Sequence, residues 1–165
     1  VMTLIQDIPV PVIAKVNGMA MAAGCQLVAS CDIAVASEKS MFATPGVKIG
    51  LFCSTPAVAI GRAVPRKASS FGNALTGAPI STHGALLHGL VSKVVPEEKL
   101  EEETLRIAQK ICDTSRPVVS LGKAMFYGQM AQGCNTAYSM ASQAMVDNLA
   151  LKDGQEGIKS FIEKR

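Results

Sequence analysis

The stretch that most limits how this chain can fold is Val12 to Ser37, VIAKVNGMAMAAGCQLVASCDIAVAS. Its opening run, Val12-Ile13-Ala14-Lys15-Val16, is apolar and β-branched and predicts a buried strand. Asn17-Gly18 then turns the chain, and Met19 to Gly24 is made almost wholly of small or flexible residues. Helical spacing runs from Ala23 to Cys31, and Asp32 closes it before a second apolar run, Ile33 to Ala36. A strand, a tight small-residue turn and a helix start gather free backbone N–H groups at one spot. With the positive end of the helix dipole they suit an oxygen that gains negative charge. Small side chains let a ligand approach the backbone itself. The same pattern also serves close packing of a helix on a strand, and spacing alone does not separate the two readings.

Composition narrows the partners. The net charge of +3 is spread along the chain, with no run of lysines or arginines. Tryptophan is absent and aromatic residues make up 4% of the chain, so base stacking is poorly supported and no nucleic-acid partner is expected. The five cysteines, Cys25, Cys31, Cys53, Cys112 and Cys134, show no C-x-x-C spacing. With only His83 and His88 beside them no metal site is expected, and they read as reduced, mostly buried thiols. No run approaches the roughly 20 apolar residues of a membrane span. The chain opens on Val1 and soon enters a strand, and it reads as a piece of a longer protein.

Along the chain, Gln6 to Pro11 reads as the lead-in from a missing helix. Met41 to Thr44 is a short apolar run broken by Pro45-Gly46, and Val47 to Ser54 is a glycine-punctuated loop lining something. Ser54 or Thr55 is placed to cap a helix to about Ala63, and Lys67 to Leu75 reads as a short helix. Ser81 caps a helix over Thr82 to His88, with Gly89 in the C-terminal position, and Leu90 to Val95 reads as a strand. No convincing strand follows. Helices are expected from Leu100 to Ile111, Pro117 to Met130, Thr136 to Leu151 and Gln155 to Lys164. Residues 1–96 therefore read as β/α units and residues 97–165 as a helical segment, with no internal repeat visible.

Several motifs have characteristic spacing: Ile13-Ala14-x-Val16-x-Gly18-x-Ala20, Gly24-Cys25-x-Leu27 and Cys31-Asp32-Ile33. They continue with Phe42-x-x-Pro45, Gly50, Thr76-Gly77-x-x-Ile80-Ser81, Gly89-Leu90-Val91 and Phe161-Ile162-Glu163-Lys164-Arg165. In order and spacing they resemble the crotonase (enoyl-CoA hydratase/isomerase) superfamily over nearly the whole chain. That resemblance implies an α/β fold, the C-terminal part of a ββα superhelix followed by an all-helical trimerisation segment. It also implies a homotrimer or dimer of trimers, a mitochondrial location and acyl-CoA thioester ligands with no further cofactor.

The resemblance implies two backbone N–H donors for the thioester oxygen. One lies upstream of this chain, and the other is Ala23, with Gly24 beside it. A donor of this kind is typically worth about 3 kcal/mol of barrier. The family's two catalytic glutamates match Gln26 and Gly46. Glutamine cannot exchange a proton near neutral pH, and glycine has no side chain. General acid–base help is worth about 10²–10⁴-fold per group, so ordinary hydratase activity is not expected.

Phe52 and Cys53, in the altered loop, join Gln26 and Gly46 as substrate-contact candidates. A bare thiol with nothing basic beside it reads as packing rather than a nucleophile. Phe161 and Lys164 match positions that touch the coenzyme's adenine and phosphate end, against the plainer reading of a core aromatic and a solvated lysine. Asp32 reads as structural, and Glu38 and the histidines as surface or packing groups. Glu97, Glu98 and Glu101 to Glu103 read as a solvated helix face. The expectation is an acyl-CoA-binding protein of fatty-acid metabolism without standard hydration. The alternatives are an isomerase or thioesterase using groups from elsewhere, and a structural subunit of a mixed oligomer.

Overall fold

The computed structural model describes residues 1–64, 72 and 74–165. Helix α1 (Met2–Asp7) opens the chain, so the helix expected to be missing ahead of Pro9 is present. Strands β1 (Ile13–Val16) and β2 (Met19–Met21) follow, then α2 (Ala23–Ser30), β3 (Ile33–Ser37) and β4 (Met41–Ala43). A 3-10 turn over Pro45–Ile49 leads to α3 (Ser54–Ala63). Next come β5 (Ile80–Ser81), α4 (Thr82–Leu87) and β6 (Lys93–Val95). Four helices finish the chain: α5 (Leu100–Cys112), α6 (Arg116–Gln129), α7 (Cys134–Ala150) and α8 (Lys152–Glu163). The helix expected over Lys67 to Leu75 lies mostly outside the described residues.

The strands form two small sheets, ordered β1-β3-β6 and β2-β4-β5. Within the first, β1 lies parallel to β3 with Ile13 opposite Ile33, and β6 lies parallel to β3 on its other side. Within the second, β2 lies parallel to β4 with Met19 opposite Met41, and β5 is antiparallel to β4. The first two passes, β1-β2-α2 and β3-β4-α3, each add one strand to each sheet and return through a helix, whereas α4 lies between β5 and β6. This repeated ββα unit has no counterpart in the residues because strands of three to five residues leave too little pattern to align.

Alternation along β3 explains its side chains. Ala34 and Ala36 face a core with Val16, Ala20, Cys25, Val28, Phe42 and Ile60. Val35 points the other way, against Val95 and Leu100, with Ile107 of α5 packed alongside. A parallel strand covered on both faces is expected to be nearly all apolar, as Ile33 to Ala36 are, with buried Ser37 at the end.

Buried polar groups hold the two sheets together. Ser40 Oγ donates to the Val16 carbonyl at 3.0 Å and accepts from the Gly18 N–H at 3.1 Å. The Thr82 hydroxyl donates to the Ser37 carbonyl at 3.0 Å and also reaches that of Ser40. Asp32 is structural, as expected: its Oδ2 accepts from the Val12 N–H at 2.6 Å, while its own N–H donates to the Val12 carbonyl at 3.0 Å. One residue thereby pins the entry of β1 to that of β3.

Three expectations need correction and a fourth is extended. The strand foreseen over Leu90–Val95 is confined to Lys93–Val95, because Leu90 and Val91 bond the Ala85 carbonyl and wrap the end of α4 instead. Met19–Met21 is a strand rather than part of a turn. Of the five thiols only Cys25 is buried; Cys31 and Cys53 are half-buried, and Cys112 and Cys134 are exposed. The acidic run from Glu97 to Glu103 is solvated as expected, except at half-buried Glu103, and it is ion-paired as well. Glu97 meets Lys39 at 2.9 Å, Glu101 meets Lys15, and Glu103 meets Lys93 at 2.5 Å and Arg106.

The chain divides into two compact units: Val1–Ile5 with Val12–Ala108, and Gln6–Pro11 with Gln109–Arg165. In the second, Ser120 Oγ donates to the Pro9 carbonyl and Lys123 Nζ to that of Val10. Its helices α6, α7 and α8 hold no buried residue, and Tyr138, Met145, Val146 and Leu149 of α7 are all exposed.

Candidate functional site

Three segments converge at one end of the second sheet. The first is the start of α2. Met21 sits opposite Ala43, and the Ala22 N–H extends this pairing with a 2.8 Å bond to the Ala43 carbonyl. Ala22 then turns at φ 46°, ψ −112°, in the left-handed half of the map, where an L side chain is strained. The turn throws the chain at once into α2. Ala23, the expected oxyanion donor, is not the strained residue; its neighbour takes the unusual angle. The first helical bond runs from Gln26 N–H to the Ala22 carbonyl at 3.0 Å, so the amides of Ala23, Gly24 and Cys25 stand ahead of it at the positive end of the helix. A Cβ at Gly24 meets nothing within 4 Å, so its glycine leaves open space beside those amides.

The second segment continues from β4 through Thr44 and Pro45 to Gly46. Gly50, at φ 80°, ends the 3-10 turn, and the Leu51 N–H returns to the Gly46 carbonyl at 2.9 Å. That return closes the loop tightly over Gly46. A Cβ there would collide with the Leu51 carbonyl oxygen and lie 2.8 Å from Cys53 Sγ. Position 46 therefore lacks a carboxylate, and in this loop it also has no room for one. Gly77, at φ 65°, presses on the other side of the same turn, where a Cβ would crowd Val47 and Lys48.

The third segment is the start of α3. Cys53, rather than Ser54 or Thr55, holds the cap position, with no side-chain bond. The Thr55 hydroxyl is engaged elsewhere, donating to Gln26 Oε1 at 3.2 Å. Gln26 is half-buried, and its side chain, like other long ones on a helix, lies back over the preceding turn. Holding the carbonyl end of this amide turns its Nε2 donors away from Thr55. Thr55 was read only as a helix cap; no spacing rule links it to Gln26, because the contact depends on how α2 and α3 pack.

The electrostatics are simple. Burial pushes the Cys25 thiol up to about 11, and the nearby Cys53 thiol adds to the effect, so Cys25 stays protonated and inert at neutral pH. Asp32 is held by Val12, and Glu38 is exposed on its turn. His83, on α4, is exposed, and His88, at its C-cap, is half-buried. Among the described residues, no group of three or more His, Cys, Asp or Glu side chains is placed to hold a metal ion, and no helix is long and apolar enough to cross a membrane.

The structure thus gathers Ala23, Gly24, Gln26, Gly46 and Cys53 into one constellation, with Phe52 on the same loop and 44% exposed. Phe161 and Lys164 belong to the other compact unit. Phe161 is 85% exposed, which removes the reading of a core aromatic. Lys164, at φ 55°, ends α8 in the left-handed conformation.

Known proteins resemble this chain over almost its whole length. The chain is 70% identical over 164 residues to enoyl-CoA hydratase domain-containing protein 3, mitochondrial, of Xenopus laevis, covering 99% of this chain and 55% of that protein. It is 35% identical to the mitochondrial enoyl-CoA hydratase of Pongo abelii, covering 94% of this chain and 53% of that protein. The crystal structure of human enoyl-CoA hydratase domain-containing protein 3 superposes with a TM-score of 0.95 at 69% identity, over 99% of this chain and 64% of that one. An enoyl-CoA hydratase from Mycobacterium smegmatis gives 0.96 at 45% identity, over 99% and 63%. The chain spans about half the length of the curated relatives it matches. The profile described as enoyl-CoA hydratase/isomerase matches residues 1–165, and the chain belongs to that family.

Proposed function

We propose that this chain supplies part of the thioester cradle of an acyl-CoA-binding protein that lacks efficient enoyl-CoA hydratase chemistry. Hydration needs one group to activate water and one to deliver a proton to carbon. The amides at the start of α2 polarise a thioester carbonyl but carry no exchangeable proton of use near pH 7. Gln26 orients a partner by hydrogen bonding and transfers nothing. The observation that carries the reading is Gly46, whose neighbourhood is already filled by the Leu51 carbonyl and the Cys53 thiol. A carboxylate lost from an open pocket is easily replaced by another; one lost from a closed loop is not.

The mitochondrial names of the relatives support a place in mitochondrial fatty-acid metabolism. The exposed apolar residues of α7 and α8 support a homotrimer or dimer of trimers. Exposed Phe161 and Lys164 support contact with the adenine and phosphate end of the coenzyme, with no other cofactor. Calorimetry of the complete natural protein with acetyl-CoA and crotonyl-CoA tests the binding. Heat of binding is expected for both, and its absence for both overturns the reading in favour of a structural subunit. Crotonyl-CoA absorbance tests the chemistry: turnover of order 10² s⁻¹ or more, typical of a good enzyme, contradicts it.

A further inference from the structure

We propose that Gln26, held by Thr55, makes this site selective for acyl thioesters that carry a second hydrogen-bond-accepting oxygen close to the thioester carbonyl. The inference rests on the acyl-CoA reading above and names the class of acyl group. Its basis is the 3.2 Å bond from the Thr55 hydroxyl to Gln26 Oε1. A primary amide has one accepting end and one donating end. With the carbonyl turned to Thr55, the other side of the amide presents its N–H groups.

Helical geometry sets where they are offered. Gln26 is three residues beyond Ala23 on α2, on the same face, and its side chain leans back over the turn that Ala23 begins. A thioester oxygen at the Ala23 amide and a second oxygen at Gln26 Nε2 are then a few bonds apart on one acyl chain. Gly46, in the neighbouring loop, has no side chain to offer that second oxygen. An acyl group with no second oxygen leaves the Gln26 donors facing hydrocarbon, and unpaired polar groups weigh against such a ligand. A 3-oxoacyl thioester, which only accepts at that oxygen, matches the donor; a saturated acyl thioester does not.

The test is calorimetry of the complete natural protein with acetoacetyl-CoA and butyryl-CoA, which differ in the 3-oxo group. Acetoacetyl-CoA is expected to bind about tenfold more tightly. Gln26→Leu should bring the ratio near one by weakening acetoacetyl-CoA binding about tenfold. Thr55→Val, which frees the amide to turn over, should lower the ratio, and Thr55→Ser should restore it. Gln26→Glu should move the preference from acetoacetyl-CoA towards 3-hydroxybutyryl-CoA, whose hydroxyl can donate to a carboxylate. A purely structural glutamine does not produce that exchange. Equal binding of the two probes to the natural protein, or a ratio unchanged in Gln26→Leu and Gln26→Glu alike, overturns the selectivity while leaving acyl-CoA binding standing. Failure of both probes to bind the natural protein overturns the acyl-CoA reading itself.

Discussion

Gly46 matters through what it excludes. The residue type shows that position 46 has no side chain, but only the surrounding loop says whether one could fit there. Here Leu51 returns to bond the Gly46 carbonyl, and its own carbonyl then covers the place a Cβ would take. Putting Glu at both positions, Gln26→Glu with Gly46→Glu, is therefore expected to fail as a repair. The Gly46 substitution should cost about 1–3 kcal/mol by overpacking, read as a lower urea midpoint. Crotonyl-CoA hydration should rise by less than the roughly 10²-fold that one working acid–base group supplies. A double variant that hydrates crotonyl-CoA rapidly would show that the loop yields. At this scale the residue types were legible, and the structure adds their neighbours: Gln26 beside Thr55 and Gly46 beside Cys53. The turn at Ala22 was not legible, since an alanine at positive φ has no signature in the residues.

Elements show where pattern reading succeeds. The long amphipathic stretch beginning at Leu100 was recognisable because thirteen residues carry several turns of periodicity. Ser81 as the cap of α4 was also correct, its Oγ accepting from the Gly84 N–H at 3.2 Å. Met19–Met21 escaped notice because its three residues extend only by pairing with β4. Asp32 lies between these cases: its residue type marked it as structural, while its partner, Val12, is twenty positions away. Removing that carboxylate in Asp32→Ala leaves the Val12 N–H without its charged acceptor. The expected cost is about 1.5–3 kcal/mol, measured by urea denaturation, with far-UV circular dichroism unchanged in the absence of denaturant. A cost below about 0.5 kcal/mol, the level of an ordinary surface change, would refute the pinning role.

Across the molecule, acidic residues close together in sequence meet bases that are not. Lys15 comes from β1, Lys39 from the turn after β3 and Lys93 from β6, and each finds a glutamate at or near the start of α5. Arg106 and then Lys93 hold the Glu103 carboxyl down at about 2. A carboxylate with a lowered folded pKa adds stability above its unfolded value of about 4.5 and loses it as the pH falls towards 2. Glu103→Gln should therefore lower the urea midpoint at pH 6, with the difference closing by about pH 2. A difference that is constant with pH would remove Glu103 from the acid response. The residues by themselves determined the class of fold, the small-residue start of α2, and the presence of glutamine at 26 and glycine at 46. Those depend on residue identity and on neighbours within one or two turns. Tertiary structure decided that Thr55 meets Gln26, that the loop closes on Gly46, and that the strands from β1 to β4 alternate between two sheets. These depend on contacts between segments distant in the chain, which local pattern does not encode.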